Sequence, residues 1–590
     1  NTSTSRRVVS TYNNHQWFVN SLQVMPFISA SAISPYNKIR GGAAEVLVPV
    51  ILLLDSYPDA LVAYDLRKLS SNYIGGCIEV RRGSDNTIQD IGFSNNILDT
   101  SSLVDFAEGG ECFIRTLYDQ SGNANNAVET TFTSQPRITD TSGLVITKYG
   151  KPSMYWNNPS SGEMSNLTFT EVRPHTLFIT QQLENIGGAY QNWILGGAYY
   201  DYLSASNSNQ STGVQYLSNA NPPNSVKQGN NYLNGQLKEF VQNEPNFIQR
   251  DENFNMISMV HDSSASRLPY ASEISKRTQS TGVQNASTIG WRQSIIIYGT
   301  DQSANRIAIE DNINKYYGIY PNPNNTGLLD DYPNASSAYS LRSLNSNYRG
   351  PLVKVRRLAD STEKEIFAKY DGTLNTEDLL DFIGSDDGFV SKWYDQSGNE
   401  NDMIQNSASA QPQIVDQGSI ITKDSNPCVK FVSSNLLVAS PVASISSCLF
   451  SFYVITSARL SIATAHSVLR TNNSNTGTTV FLDLRSSPKR NLFIHNGSKA
   501  ADLSVARETN ARRLLSSFGD GNSNIFSFDN GATGGSDSSV SPTDNNTLQM
   551  SATASVALDG NITELIVYPT DTRSDRVAIE TNINNYYTIY

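Results

Sequence analysis

Charge is scarce in this chain, and so are cysteine, histidine and long apolar runs. Charged residues fill 17% of its 590 positions, against roughly 25% in an average soluble domain. The 43 basic residues never gather beyond a pair such as Arg81-Arg82 or Arg356-Arg357, and 55 acidic residues bring the net charge to −12. The electrostatic footprint of nucleic-acid binding is missing, so no nucleic-acid partner is expected. The longest apolar stretch runs from Val46 to Leu54, is interrupted by Pro49 and ends at Asp55. That is far short of the ~20 residues a membrane helix needs, and no membrane insertion is expected. No signal-peptide pattern is visible. The first residue is Asn rather than Met, so residues are expected ahead of it.

Cys77, Cys112, Cys428 and Cys448 are too few for a disulfide framework, and neither pair maps onto the other. With no CxxC and no His-Cys cluster, they read as buried small hydrophobes, and no zinc site or other metal centre is expected from them. The five histidines (His15, His175, His261, His466 and His495) are scattered, and no Ser-His-Asp set follows from their spacing.

What the chain does have is Asn, Ser, Thr, Gly and Tyr, and a long internal repeat. Tyr64-Asp-Leu-Arg-Lys-Leu69 is echoed by Tyr339-Ser-Leu-Arg-Ser-Leu344, and Val80-Arg-Arg-Gly-Ser-Asp85 by Val355-Arg-Arg-Leu-Ala-Asp360. Tyr118-Asp-Gln-Ser-Gly-Asn123 returns as Tyr394-Asp-Gln-Ser-Gly-Asn399, and Arg306–Tyr317 returns as Arg576–Tyr587. A period this long is a duplicated domain rather than a solenoid unit. The organisation expected is a docking arm over residues 1–45, a first domain over 46–320, a linker over 321–327 and a second domain over 328–590. Two prolines and a glycine make Pro321–Gly327 a short, semi-extended spacer.

Short strands between polar turns dominate each copy. Thr176–Thr180, Ser294–Tyr298, Phe450–Ile455 and Thr563–Tyr568 read as strands, with turns at Asn234-Gly235, Asn496-Gly497 and Asp559-Gly560. Ile309, Ile313 and Tyr316/Tyr317 have helical spacing, so Arg306–Tyr317 is a terminal helix. Ser101–Ala107 and Thr376–Ile383 read as short helices opened by a Ser or Thr cap. The fold class is all-β: two tandem β-sandwich or jelly-roll domains with short helices, behind an N-terminal arm.

The twice-found Tyr-Asp-Gln-Ser-Gly-Asn motif, preceded by Leu-Arg and by a Val-Arg-Arg segment ending in Asp, resembles the catalytic domain of α-L-arabinofuranosidase B. The resemblance implies a concanavalin-like sandwich. Similar domains without the enzyme's signature resemble laminin-G-like modules of tailed-bacteriophage appendages. Glycoside hydrolysis needs two carboxylates across the bond. The resemblance would place the general acid at Ile289–Gln293, where Trp291, Arg292 and Gln293 stand, and at Ala554–Leu558, with Asp559 shifted into a turn. It would place the nucleophile nearest Phe481–Arg485, where Arg485 and Ser486 stand instead. No catalytic residue carries over.

Asp119, Asn123, Asp395 and Asn399 are candidates for a structural turn or for an ion site, Ca²⁺ being the one cofactor considered. Arg81-Arg82 and Arg356-Arg357 are expected to alternate along strands, one of each pair meeting an inward Asp85 or Asp360. Tyr190, Trp193, Tyr200, Tyr202 and Trp291 are the candidate glycan platform, with core packing as the competing role. The leading expectation is a virion structural protein of a tailed bacteriophage (tail, fibre or head appendage). Its partners would be other virion proteins, further copies of itself in a trimer or ring, and host surface polysaccharide. The alternative is a secreted or cell-surface carbohydrate-binding adhesin, and a third reading is an active arabinofuranosidase.

Overall fold

The structure is a computed structural model. It describes chiefly residues 52–156, 167–182, 229–238, 254–261, 271–275, 290–432, 435–439, 448–457, 511–532, 547–551 and 557–590, with further segments given as backbone strands alone. The chain divides into two compact units, Asn1–Val50 and Ile51–Tyr590. Within the first, the strands Tyr36–Gly41 and Ala44–Pro49 form an antiparallel hairpin. The rest of the expected arm lies outside the described residues, as does the Asn496-Gly497 turn.

In the first copy, Gly290–Tyr298 is the central strand of one sheet. Thr176–Leu183 lies on one side of it, and Met154–Trp156 followed by Ala60–Asp65 lie on the other. The facing sheet runs from Leu203–Ser206 through Cys112–Leu117 to Ile88–Ile91. In the second copy Gly560–Tyr568 takes the central place, between Leu449–Ala458 and the pair Ser337–Ser340 and Val429–Phe431. The short strand Gln413–Asp416 bridges its two sheets. All named pairings are antiparallel, and both copies are all-β sandwiches with a few short helices.

Each copy has two apolar layers. Ile295 and Ile297 face the other sheet, whereas Ile296 and Tyr298 pack under the closing helix Arg306–Tyr317. The second copy repeats this, with Leu565 and Val567 between the sheets and Ile566 and Tyr568 under Arg576–Tyr587. A strand covered on both faces has no polar side to show, which is why Ser294–Tyr298 reads as a continuous apolar run rather than an alternation.

The closing helices span Arg306–Tyr317 and Arg576–Tyr587. The two expected short helices span Thr100–Ala107 and Thr376–Ile383, but their caps are Asp99 and Asn375, not Ser or Thr. Those side chains accept from the backbone N–H of Ser102 and Asp378, the bond an N-cap supplies. Asn234 and Gly235 both have positive φ, as the expected hairpin turn requires. Asp559-Gly560 is instead the entry to the central strand, because Gly560 already pairs with Phe431 and Ala458.

Residues 321–327 form a turn rather than an extended spacer: the Asn325 N–H bonds the Asn322 carbonyl, and the Asn322 N–H reaches Tyr370 O in the second copy. The two copies touch further through Tyr370 Oη, which donates to Asp311 Oδ1 at 2.7 Å, and through the Arg349 guanidinium over the Tyr320 ring. All four cysteines are buried and free. Among the described residues no helix is long and apolar enough to cross a membrane.

Candidate functional site

The repeated hexapeptide is a brace. Asp119 Oδ1 accepts from the N–H groups of Ala63 and Ser121, each at 2.9 Å, and Oδ2 accepts from Ser121 Oγ and Asn125 N–H. Asp395 makes the same four bonds with Ala338, Ser397 and Asn401. Two donors on each oxygen use its lone pairs and leave none for a cation. Gln120 bonds the Asp65 and Arg67 carbonyls and the Leu69 N–H, while Asn123 Nδ2 donates to Ala60 O; Gln396 and Asn399 repeat both roles. Gly122 and Gly398 have φ near +90°, a conformation a side chain resists. The motif therefore fastens the first strand of each sandwich. Burial raises the Asp395 carboxyl pKa, against the backbone bonds that favour its charge. Among the described residues no three His, Cys, Asp or Glu side chains gather as a metal site.

The arginine pairs are also structural. Arg81 donates to Gln135 and lies over the Phe113 and Phe132 rings; Arg356 donates to Gln411 and lies over Phe389. Arg82 and Arg357 each clasp Asp85 or Asp360 and a helix-end carbonyl, of Phe106 or Phe382. Contrary to expectation those aspartates are not inward, their side chains being 45% and 44% exposed.

Of the expected aromatic platform, Tyr190, Tyr200 and Tyr202 lie outside the described residues, and Trp193 is described only as backbone in the strand Gln191–Gly196. Trp291 is half-buried. The Tyr155 ring lies 5.1 Å from it, the Lys148 ammonium sits 4.2 Å from its centre, and it packs beside the core under the closing helix. These contacts hold the indole in the fold rather than presenting it as a bare platform.

The next residue is different. Arg292 points into the layer between the sheets and is 1% exposed. Its Nη1 donates to Ser275 Oγ, and the guanidinium lies 4.7 Å from the Trp156 ring centre. Among the described residues its Nε and Nη2 have no hydrogen-bond partner, nor do the amide of Gln181 directly across the ladder and Nε1 of Trp156. Burial alone pushes the Arg292 pKa down, to about 9. Strand register aligns Arg292 with Ile562, shifting the second copy's counterpart from Ala554–Leu558 to Asn561-Ile562-Thr563. Gln181 likewise corresponds to Thr456, and Trp156 to Phe431. In the sequence alone Arg292 marks only a missing acid. The available signal was an Arg standing against Ile between otherwise matching strands.

The family model "Alpha-L-arabinofuranosidase B, catalytic" matches residues 60–144 and 330–426, the early part of each copy that contains the brace. No curated protein matches the chain. Among solved structures, a GH54 α-L-arabinofuranosidase soaked with a cyclic sulfate inhibitor is 15% identical at a TM-score of 0.34, over 42% of this chain. The chain spans 62% of that enzyme's length. A heptameric SAP-like pentraxin from Limulus polyphemus is 9% identical over 27% of this chain and 82% of its own, at a TM-score of 0.23. The carbohydrate-binding module CBM66 from Bacillus subtilis is 10% identical over 28% and 86%, at a TM-score of 0.18.

Proposed function

We propose that this chain is a carbohydrate-related protein that binds rather than cleaves, built as two sandwich modules on an arabinofuranosidase-like scaffold. One observation carries the reading: the strand position that the resemblance gives to a general acid holds Trp291-Arg292-Gln293 in one copy and Asn561-Ile562-Thr563 in the other. The next carboxylate along, Glu564, is buried against Arg342 and so is spent on the fold. The stretch of each copy that matches the family model contains the brace, a scaffold feature.

The setting we propose is a tailed-phage virion appendage that self-associates, docks on other virion proteins and meets host polysaccharide. Its support is the duplicated module and the Asn/Ser/Thr/Tyr-rich, charge-poor composition. A secreted adhesin has the same support and differs in what precedes Asn1. The test is incubation with an aryl α-L-arabinofuranoside alongside a glycan-binding panel. We expect no aryl release above the buffer blank and binding to at least one glycan. Turnover approaching an ordinary glycosidase rate, about 1 s⁻¹ or more, would overturn the non-catalytic reading.

A further inference from the structure

We propose that the first copy alone carries an anion site, formed by Arg292, Gln181, Trp156 and Ser275, that receives the carboxylate of an acidic sugar. The choice of a sugar as carrier rests on the carbohydrate reading above; the anion site itself does not.

A guanidinium enclosed between two sheets is costly unless an opposite charge accompanies it. Among the described residues Arg292 has none: burial is the cause of its lowered pKa, and no described carboxylate contributes. Its contacts are one hydroxyl, Ser275 Oγ, and one ring face, Trp156. The atoms left without partners are mostly donors: Nε and Nη2 of Arg292, Nε1 of Trp156 and the Gln181 amide nitrogen, with the Gln181 amide oxygen as the exception. A buried water could take some of these bonds but brings no charge. A carboxylate brings two acceptor oxygens in the geometry the guanidinium fork matches.

The second copy is the internal control. The same fold, strand register and bulge accommodate Ile562, Thr456 and Phe431 at these positions, and Ile562 and Phe431 are fully buried in its core. The scaffold therefore does not require a cation there. The group also lies near one end of the sandwich: Gly290 opens the Arg292 strand, Trp156 closes its own, and Ser275 follows the last residue of its strand with φ +60°.

The test is calorimetric titration of the full chain with D-galacturonate and its trimer, with acetate, and with neutral galactose. It compares the parent with Arg292→Met and Arg292→Lys. We expect saturable uronate binding, no galactose binding at this site, and at least a tenfold loss of uronate affinity in Arg292→Met. Arg292→Lys, which keeps charge but not the fork, should fall between. Unliganded Arg292→Met should melt no lower than the parent, since it removes an unbalanced buried charge. Absence of binding by every carboxylate, equal uronate affinity in parent and Arg292→Met, or a large drop in the variant's melting temperature would each overturn the site. Binding of acetate but of neither uronate keeps the anion site and removes the sugar carrier. Glycan binding elsewhere, unaffected by Arg292→Met and without carboxylate binding, keeps the carbohydrate reading and removes this one.

Discussion

Asp65 and Glu564 do the same work from opposite strands. In the first copy Asp65 pairs with Arg67 and accepts from Tyr317 Oη, while Ser294 stands beside it in the ladder. In the second copy the acidic and hydroxyl residues trade strands. Ser340 takes the place of Asp65, and Glu564 takes the place of Ser294 and receives Arg342, Tyr587 and Ser340. The arginines lie over equivalent rings, Tyr316 and Tyr317 or Tyr586 and Tyr587. Burial opposes the charge of Arg342, and Glu564 more than offsets it, so the Arg342 pKa is raised. What the duplication preserved is one carboxylate per arginine, not its position. Asp65→Ala should therefore cost about 3–5 kcal/mol, the penalty for stranding a buried partner charge. The double variant Asp65→Ser with Ser294→Glu should recover most of that loss in urea unfolding; a double variant no more stable than Asp65→Ala would refute the equivalence.

The closing helix shows how much a single element's sequence can specify. In Arg306–Tyr317, Arg306 and Glu310 pair one turn apart, Ser258 on the sheet donates to Glu310, and Ile309 and Ile313 fill the layer beneath. Asn314 then closes the end, accepting from the N–H groups of Ile319 and Tyr320 and donating to Tyr320 O. Asn584 repeats this with Ile589 and Tyr590. Asn314 is fully buried whereas Asn584 is half-exposed, so water can replace only the second set. Asn314→Ala should cost roughly 3 kcal/mol and Asn584→Ala roughly 1 kcal/mol by the usual price of unmade hydrogen bonds, read from chemical denaturation; equal losses would contradict the burial argument. This helix was legible because its apolar spacing is local and occurs twice. The Asp99 and Asn375 caps are hard to place from sequence because a Ser or Thr one or two residues on offers the same chemistry. The Arg292 cluster is not legible at all, since Trp156, Gln181 and Arg292 come from three strands and Ser275 from just past a fourth, and they meet only through sheet register.

At the scale of the whole molecule, the two copies differ in what acid does to them. His261 follows the strand Asn255–Val260, is almost fully buried and has Nδ1 3.0 Å from the Pro174 carbonyl oxygen. Burial pushes its pKa down to about 4, the Pro174 bond opposing and neighbouring His175 adding to the shift. Strand register puts Gly519 in its place in the second copy, and the approach of Cys448 O leaves no room there for a side chain. The folded first copy thus resists a proton that the unfolded chain accepts below about pH 6.5. Stability from this group is present above that pH and is lost as pH falls towards 4, by about 3 kcal/mol in all. Buried carboxylates act with the opposite sign. Burial raises Asp65 and Glu310 in the first copy and Asp378, Asp395 and Glu580 in the second, so each favours the fold as pH falls through its raised pKa towards the unfolded value. Because both copies carry such carboxylates, the asymmetry rests on His261. Calorimetry at pH 7 and pH 4.5 should show the first copy's transition moving to lower temperature relative to the second's. His261→Phe, which cannot be protonated, should hold the separation between transitions constant with pH. A separation that widens with acid equally in the parent and in His261→Phe would mean that the imidazole is not its source.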